Sequence, residues 1–565
     1  MTVADYLADY LSKRGVRRVF EVTGGMITFL LDAVCRNGGP RIVSLRHEQS
    51  AAMAADAYGR LTGVPGVALA TSGPGAANLL TGIAGAYFDS SPAVFITGQV
   101  NRNERRGRRG IRQQGFQETD IVAMARPVTK AAREVGDAAS FPALLEEAFA
   151  LAVEGRPGPV LLDIPMDVQT SEVPWPLPAS PRRTPPADFP ADAVRSAIAA
   201  LACAERPLIL AGGGVRAAGA APLFRSWVGQ AQIPVVHSLM GVDVLPSCSP
   251  YRAGLIGTNG NRWANKALAE ADVLLVFGSR LDVRQTGADV AAFGLQKIFH
   301  VDCVEGQVNN RVTGCAPVIA DIRDALSAFI GATPPAGGFR RQGWLARIDA
   351  WRRQRDDCAE LGGPAPLNPN ALVRDATRAF PSARVIVADV GQNQLWAAQS
   401  AFIGEETRFI SSCGLGAMGF ALPAAVSAAM EAGETLLIAG DGGFQMNIQE
   451  LQSVAQHALP IRMIVLNNRC LGMVRQFQDA YLGGRHQSTV WGYSSPDFAR
   501  VAQAYGIPAR TLTGTDGCGD ALAWMKSVAG PSLLQVMLDP GTDLYPKVRF
   551  GKPLSEMEPP VSFGD

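Results

Sequence analysis

The chain has 565 residues, 47% hydrophobic and 18% charged, with a formal net charge of +1. That length exceeds what one hydrophobic core supports and predicts about three domains, while the near-zero charge argues against nucleic acid or an anionic membrane as partner. The charged, amphipathic start MTVADYLADYLSKRGV is no signal peptide, and no run of about 18 apolar residues offers a transmembrane helix; nine cysteines without a CxxC pair predict reduced thiols in the cytoplasm and no zinc site.

From the start to about residue 170, short apolar runs alternate with helical stretches. Residues 19–22, 42–45, 67–70 and 93–97 read as buried strands and 51–61 as an Ala-rich helix, the pattern of a doubly wound parallel sheet. Turns carry Thr23-Gly24-Gly25 and Thr71-Ser72-Gly73-Pro74-Gly75. Glu48 closes the Arg46-His47-Glu48 end of the second strand; such a glutamate by itself reads as a solvated or capping carboxylate. The arginines Arg102, Arg105, Arg106, Arg108, Arg109 and Arg112 read by themselves as a solvated loop, since no aromatics interleave them and the chain has no basic excess.

Residues 171–190 are rich in Pro and Ser and read as a linker. A second α/β unit, 191–335, has strands at 208–211, 273–277 and 298–302. The triple glycine at 212–214 is, alone, a tight strand-to-helix turn. A charged helical connector spans 340–365, and a third unit runs from 366 to 545, with a strand at 385–390 before Gly391-Gln392-Asn393. Residues 546–565 form a tail.

The most informative stretch lies in the third unit. Residues 435–439 read as a buried strand, Gly440-Asp441-Gly442-Gly443-Phe444 opens a crossover helix, and a second strand ends before Asn467-Asn468. Asp441 and Asn468 thus stand at the carboxyl ends of two strands, where open α/β sheets bind ligands. A carboxylate and an amide oxygen are hard ligands suited to Mg²⁺ holding a diphosphate. Gly440, Gly442 and Gly443 let backbone N–H groups approach phosphate oxygens.

This arrangement resembles the thiamin-diphosphate-binding motif of the family that includes acetolactate synthase and pyruvate decarboxylase. Around Glu48, RHEQSAAMAADAYGR and TSGPGAANLLTGIAGAYFDSSPAVFITGQV resemble acetolactate synthase closely. The resemblance implies that Asp441 and Asn468 bind Mg²⁺ by side chains and Cys470 by its backbone carbonyl. Glu48 would hydrogen-bond the aminopyrimidine ring and help the cofactor act as its own general base. Met418 would sit beneath the bent cofactor, and the Gly416 carbonyl would meet its exocyclic amine. It also assigns Gly24, Gly25, Gly73, Asn78, Gly391, Gln392 and Asn393 to cofactor binding. Phe116 and Gln117, in Gly115-Phe116-Gln117-Glu118-Thr119, match residues lining the substrate channel, and Lys130 falls where the match continues.

In the central unit several strand ends resemble the FAD-binding segments of acetolactate synthase. They imply contacts from Gly213, Gly214, Leu239, Met240, Gly257, Thr258, Asn259, Arg280, Asp302 and Asp321, with Arg280 along the pyrophosphate and Asp302 on adenosine hydroxyls.

The expected fold is three doubly wound α/β domains: pyrimidine-binding (1–170), central FAD-type (191–335) and diphosphate-binding (366–545). The expected activity is a carboligase that decarboxylates pyruvate and passes the two-carbon unit to a carbonyl acceptor. The alternatives are a flavin-dependent pyruvate oxidase or a non-oxidative 2-keto acid decarboxylase. The resemblance implies a site between subunits, hence a homodimer or homotetramer. Three positions depart from the acetolactate synthases: Met166 for Lys, Asn393 where relatives often carry His, and Phe477 for Trp. They point to a ketone, aldehyde or keto-sugar acceptor.

Overall fold

A computed structural model describes residues 1–173, 189–291, 293, 296–334, 342–361 and 367–563. Most of the expected linker at 171–190 and the point near Pro366 where the third unit begins lie outside them. Three six-stranded sheets, all parallel within themselves, account for the strand runs in the sequence. The first has the spatial order Arg41–Ser44, Arg18–Val22, Gly66–Ala70, Ala93–Gln99, Pro159–Pro165, Ala131–Glu134. The third has the order Arg408–Ile410, Val385–Ala388, Thr435–Gly440, Ile461–Asn467, Ser532–Met537, Ala509–Leu512. Counted from each sheet's own first strand, both read 2-1-3-4-6-5, although their sequences show no obvious repeat.

The central sheet differs. Its order is Ala316–Ile319, Lys297–Asp302, Val273–Phe277, Pro207–Ala211, Val235–His237, Arg252–Leu255, which numbered from its own first strand is 3-2-1-4-5-6 read from the other edge. The central strands of all three sheets are buried on both faces, as their unbroken Val/Ile/Leu/Ala runs require.

The outer domains share one core. Helix Glu48–Thr62 packs directly on helix Ala421–Ala432, and residues of both sheets, from Phe20 and Phe95 to Leu437 and Val465, fall in one hydrophobic cluster. Both helices are rich in alanine. Within the first domain, a Cβ at Gly59 would lie 2.1 Å from the Pro92 carbonyl oxygen, and one at Gly82 2.3 Å from Ala52 Cβ. A buried charge network spans the same joint. Arg60 donates to Asp56 (2.6 Å), Asp89 (2.8 Å) and the Ser411 carbonyl (2.8 Å), while Asp89 accepts from the Cys413 N–H at 3.0 Å. Its two carboxylates hold the Arg60 guanidinium charged despite burial.

Candidate active site

At the carboxyl end of Thr435–Gly440 the chain turns into the short helix Asp441–Met446. The single crossover helix expected after it is three pieces, with a 3₁₀ turn Ile448–Glu450 and a helix Leu451–Gln456. The break is at Asn447, whose amide donates to the Gly419 carbonyl (2.8 Å) and to Met53 Sδ (3.7 Å), tying the loop to the first domain. Asp441 is buried, and its Oδ2 has no hydrogen-bond partner. Burial raises its carboxyl to about 6, against the pull of the Gly442 N–H and the nearby Tyr493 phenol. The Tyr493 hydroxyl is itself without a hydrogen-bond partner. A buried carboxylate oxygen left unpaired is costly unless something absent from the polypeptide binds it, and a hard divalent cation fits.

Asn468 stands at the end of the neighbouring strand. Its Oδ1 accepts from the Cys470 N–H (3.2 Å), retaining a lone pair, and its Nδ2 donates to Gln392 Oε1 (3.3 Å). Gln392 in turn donates to Gln476 (3.3 Å). Gly472 closes this knot, for a Cβ there would sit 2.0 Å from Gln392 Oε1. The structure therefore brings Asp441, Asn468, Cys470 and Gln392 to one pair of strand ends. Gly442 joins them: its Cβ position is 2.6 Å from the Leu471 side chain and 3.3 Å from Met418 Cε. Gly416 has φ +70 and open space around its Cβ position, the conformation a non-glycine residue would resist. Asn393 turns away, donating to the Asp389 carbonyl (2.7 Å) and packing its Oδ1 against Gly391 and Gly440.

Asp389 had no role assigned from sequence. It is buried, its carboxyl is pushed up to about 6 by burial, and it accepts from the N–H groups of Val390, Gly419 and Ala421 at 2.7, 3.0 and 3.0 Å. It shapes the turn that carries Gly416 and Met418, and its Oδ1 fills the space beside Gly443. Its place at a strand end, in ADVG, was the available signal.

The second cluster is in the first domain. The strand before it stops at Ser44, short of the expected end, because His47 caps helix Glu48–Thr62 and makes Glu48 its first residue. Asn78 donates to Glu48 Oε2 at 2.9 Å. The Gly75 Cβ position lies 3.2 Å from Glu48 Oε1, and that of Gly24 2.5 Å from Thr71 Cβ; Gly25 faces open space. Gly73, at φ +67, abuts Gln117, so the GFQET segment reaches this cluster, while Phe116 is 80% exposed. Lys130 instead anchors the Glu154 and Arg156 carbonyls. Among the described residues no hydrogen bond joins Glu48 or Asn78 to Asp441 or Asn468.

Phe477 lies on helix Gly472–Tyr481, 43% exposed, 4.8 Å from the Tyr481 ring and 6.4 Å from that of Phe550. The tail thus lies against the helix that follows Asn468 and Cys470, and Gln476 secures it through Leu544.

A cleft lined on the central-domain side by Gly213, Gly214, Leu239, Met240, Arg280, Asp302 and Asp321 is walled opposite by Phe88, Asp89 and Arg156 of the first domain and Cys413 of the third. The glycines also serve packing: a Cβ at Gly214 would meet Gly278 Cα at 2.7 Å, and at Gly213 Met240 Cβ at 2.8 Å. Asp302 is buried, which raises its carboxyl. Gly257, Thr258 and Asn259 are not on the cleft wall. The Thr258 N–H donates to the Arg284 carbonyl (2.8 Å), the Thr258 carbonyl accepts from Val548 (2.9 Å), the Asn259 carbonyl accepts from Gln399 (3.0 Å), and Gly257 pairs with Asn265. None of the nine cysteines forms a disulfide, and among the described residues no helix is long and apolar enough to cross a membrane.

Three family models match the chain: the N-terminal TPP binding domain of thiamine pyrophosphate enzymes over residues 1–124, the central domain over 194–329, and the C-terminal TPP binding domain over 389–536. The chain is 36% identical to the acetolactate synthase isozyme 2 large subunit of Escherichia coli (strain K12), covering 99% of each. It is 35% identical to the probable acetolactate synthase large subunit of Methanocaldococcus jannaschii, over 99% of this chain and 96% of that one. The acetolactate synthase large subunit of Pyropia yezoensis is also 35% identical, over 98% and 95%.

Proposed function

Because the chain belongs to the thiamine pyrophosphate enzyme family as an acetolactate synthase-like enzyme, we propose that it removes CO₂ from pyruvate and joins the remaining two-carbon unit to a carbonyl acceptor. The observation that carries this reading is the partnerless, buried Oδ2 of Asp441 beside Asn468. Thiamin diphosphate, when bound, supplies the electron sink that decarboxylation of a 2-keto acid needs.

The chain's own groups do the rest. Asp441, the Asn468 amide oxygen and the Cys470 carbonyl would hold Mg²⁺, and the Gly440–Gly443 turn would receive the diphosphate. Asn78 fixes one oxygen of Glu48 and leaves the other to exchange a proton with the cofactor ring. Met418 and Gly416, set by Asp389, would support and orient the cofactor. Glu48 and Asp441 belong to different domains, and the reading takes a homodimer or homotetramer as the working unit, with the site between subunits.

FAD fits the central cleft: the 3-2-1-4-5-6 strand order is one across which dinucleotides bind, and Asp302, Arg280 and Asp321 line it. Carboligation needs no oxidant, so flavin is a structural group in this reading. Purified protein should be yellow, and a reduction-resistant flavin analogue should sustain activity; a colourless, fully active protein would leave the central domain a scaffold. A flavin-dependent pyruvate oxidase would instead bleach its flavin in one fast anaerobic turnover with pyruvate.

The acceptor follows from Phe477. Relative to a tryptophan it leaves part of a ring open, and contacts of methylene size shift selectivity by about 1–3 kcal/mol. Acceptors larger than pyruvate, including ketones and keto-sugars, should therefore compete well. The test is product analysis with pyruvate alone and with a panel of acceptors, for wild type and Phe477→Trp. Exclusive acetolactate formation, or an acceptor ratio that Phe477→Trp leaves unmoved, overturns the acceptor assignment.

A further inference from the structure

The arginine loop carries more positive charge than its surroundings use. Arg105 is engaged by Glu118 (3.4 Å) and Glu134 (3.0 Å). Arg106, Arg108, Arg109 and Arg112 form no ion pair among the described residues; Arg106 and Arg109 donate only to backbone carbonyls of the loop. Arg108, Arg109 and Arg112 are exposed. Between 105 and 117 there is no acidic residue at all, in a chain whose net charge is +1.

This loop is framed. Glu118 is buried and accepts from the N–H groups of Arg106 and Gln114, each at 2.8 Å, which hold its carboxyl below the usual range. The loop ends at Phe116 and at Gln117, which takes a left-handed φ of +65 and packs on Gly73. Gly73 opens the helix whose Gly75 abuts Glu48. Two contacts therefore connect the arginines to the carboxyl group of the proposed chemistry. Ile111 and Phe116, 45% and 80% exposed, put apolar surface among the guanidinium groups.

Resting on the function proposed above, we infer that this loop recognises a phosphate group on the acceptor. Pyruvate carries one carboxylate, and four unpaired guanidinium groups exceed what it can engage. A phosphate dianion matches the bidentate fork of arginine. Binding energy gathered there, away from the reacting carbonyl, would hold that carbonyl in place for bond formation. The acceptor class is a phosphorylated ketone, aldehyde or keto-sugar.

The test offers the holoenzyme, saturated with thiamin diphosphate and Mg²⁺, pyruvate with equal amounts of dihydroxyacetone and dihydroxyacetone phosphate, and measures the two carboligation products by mass spectrometry. The phosphorylated product should predominate by about tenfold or more at low salt and lose most of that excess at about 0.5 M salt, where charge is screened over a few ångström. The triple variant Arg108→Gln, Arg109→Gln, Arg112→Gln should bring the ratio near one, and the matching Arg→Lys triple, which keeps the charge but loses the bidentate fork, should fall between it and wild type. A wild-type ratio near one, or a preference that neither salt nor the Gln triple reduces, overturns the inference. CO₂ release from pyruvate alone separates the two levels: CO₂ with an unbiased ratio sinks only the phosphate assignment, whereas no CO₂ sinks the proposed function itself.

Discussion

The first and third sheets have the same strand order and present opposite chemistry. At the strand ends of the first, Glu48 is already partnered by Asn78. At those of the third, Asp441 keeps a buried oxygen that the polypeptide leaves unpaired. The architecture repeats while the site does not, so the sheet supplies only a place. Whether that place takes a cation or orients a proton depends on which carboxylate the following turn delivers and on what already bonds to it.

The sharpest break in that comparison is Asp441→Ala. It removes the proposed cation ligand from a buried site, and the purified variant should retain no thiamin diphosphate by mass spectrometry even with excess Mg²⁺; normal retention would refute the assignment. Glu48→Gln should leave retention intact yet slow proton exchange at the cofactor's C2, followed by NMR, by roughly two to four orders of magnitude. Equal effects of the two substitutions on retention would erase the distinction between the sheets.

The joint itself comes next. Arg60→Met strands Asp56 and Asp89 without their cation and should lower unfolding free energy by about 3–5 kcal/mol in denaturant titrations, with both outer domains melting together. The effect on pH dependence is spread over several pH units. Asp163, in the first sheet, is raised to about 7 by burial, although Thr97 and Gln99 donate to it at 2.7 and 2.9 Å. The folded state holds this proton more tightly than the unfolded chain does. Its contribution is therefore complete below about pH 4 and is lost as pH rises towards 7, by roughly 1.4 kcal/mol per pH unit at most. Asp163→Asn should flatten the fall in stability between about pH 4 and 7, read as the shift in urea midpoint.

The strands and the Gly440–Asn468 turn were legible because they are local: apolar runs, glycines, and polar residues at strand ends. The family resemblance singled out Glu48, Met418 and Gly416, whose roles belong to the proposed function. What the sequence hid was set by contacts between distant segments. Asn447 breaks the crossover helix because Gly419 and Met53 engage it. Asp389 looks like any strand-end aspartate until three N–H groups from two segments converge on it. Thr258 and Asn259 are tied through their backbone to Arg284, Val548 and Gln399, partners far away in the chain. The common order of the outer sheets has no counterpart in obvious sequence repetition.

The shared core of the outer domains sets a schedule for the growing chain. Helix Glu48–Thr62 leaves the ribosome long before helix Ala421–Ala432, the surface that covers it, has been made. At roughly 5–20 residues per second that interval is on the order of 20–70 s. Throughout it the nascent N-terminal domain displays a face of alanines and glycines meant for a partner yet to be translated. Synthesis rate and holdase chaperones thereby become determinants of yield, and a fragment ending before the third domain should aggregate or be degraded even with its own sheet intact.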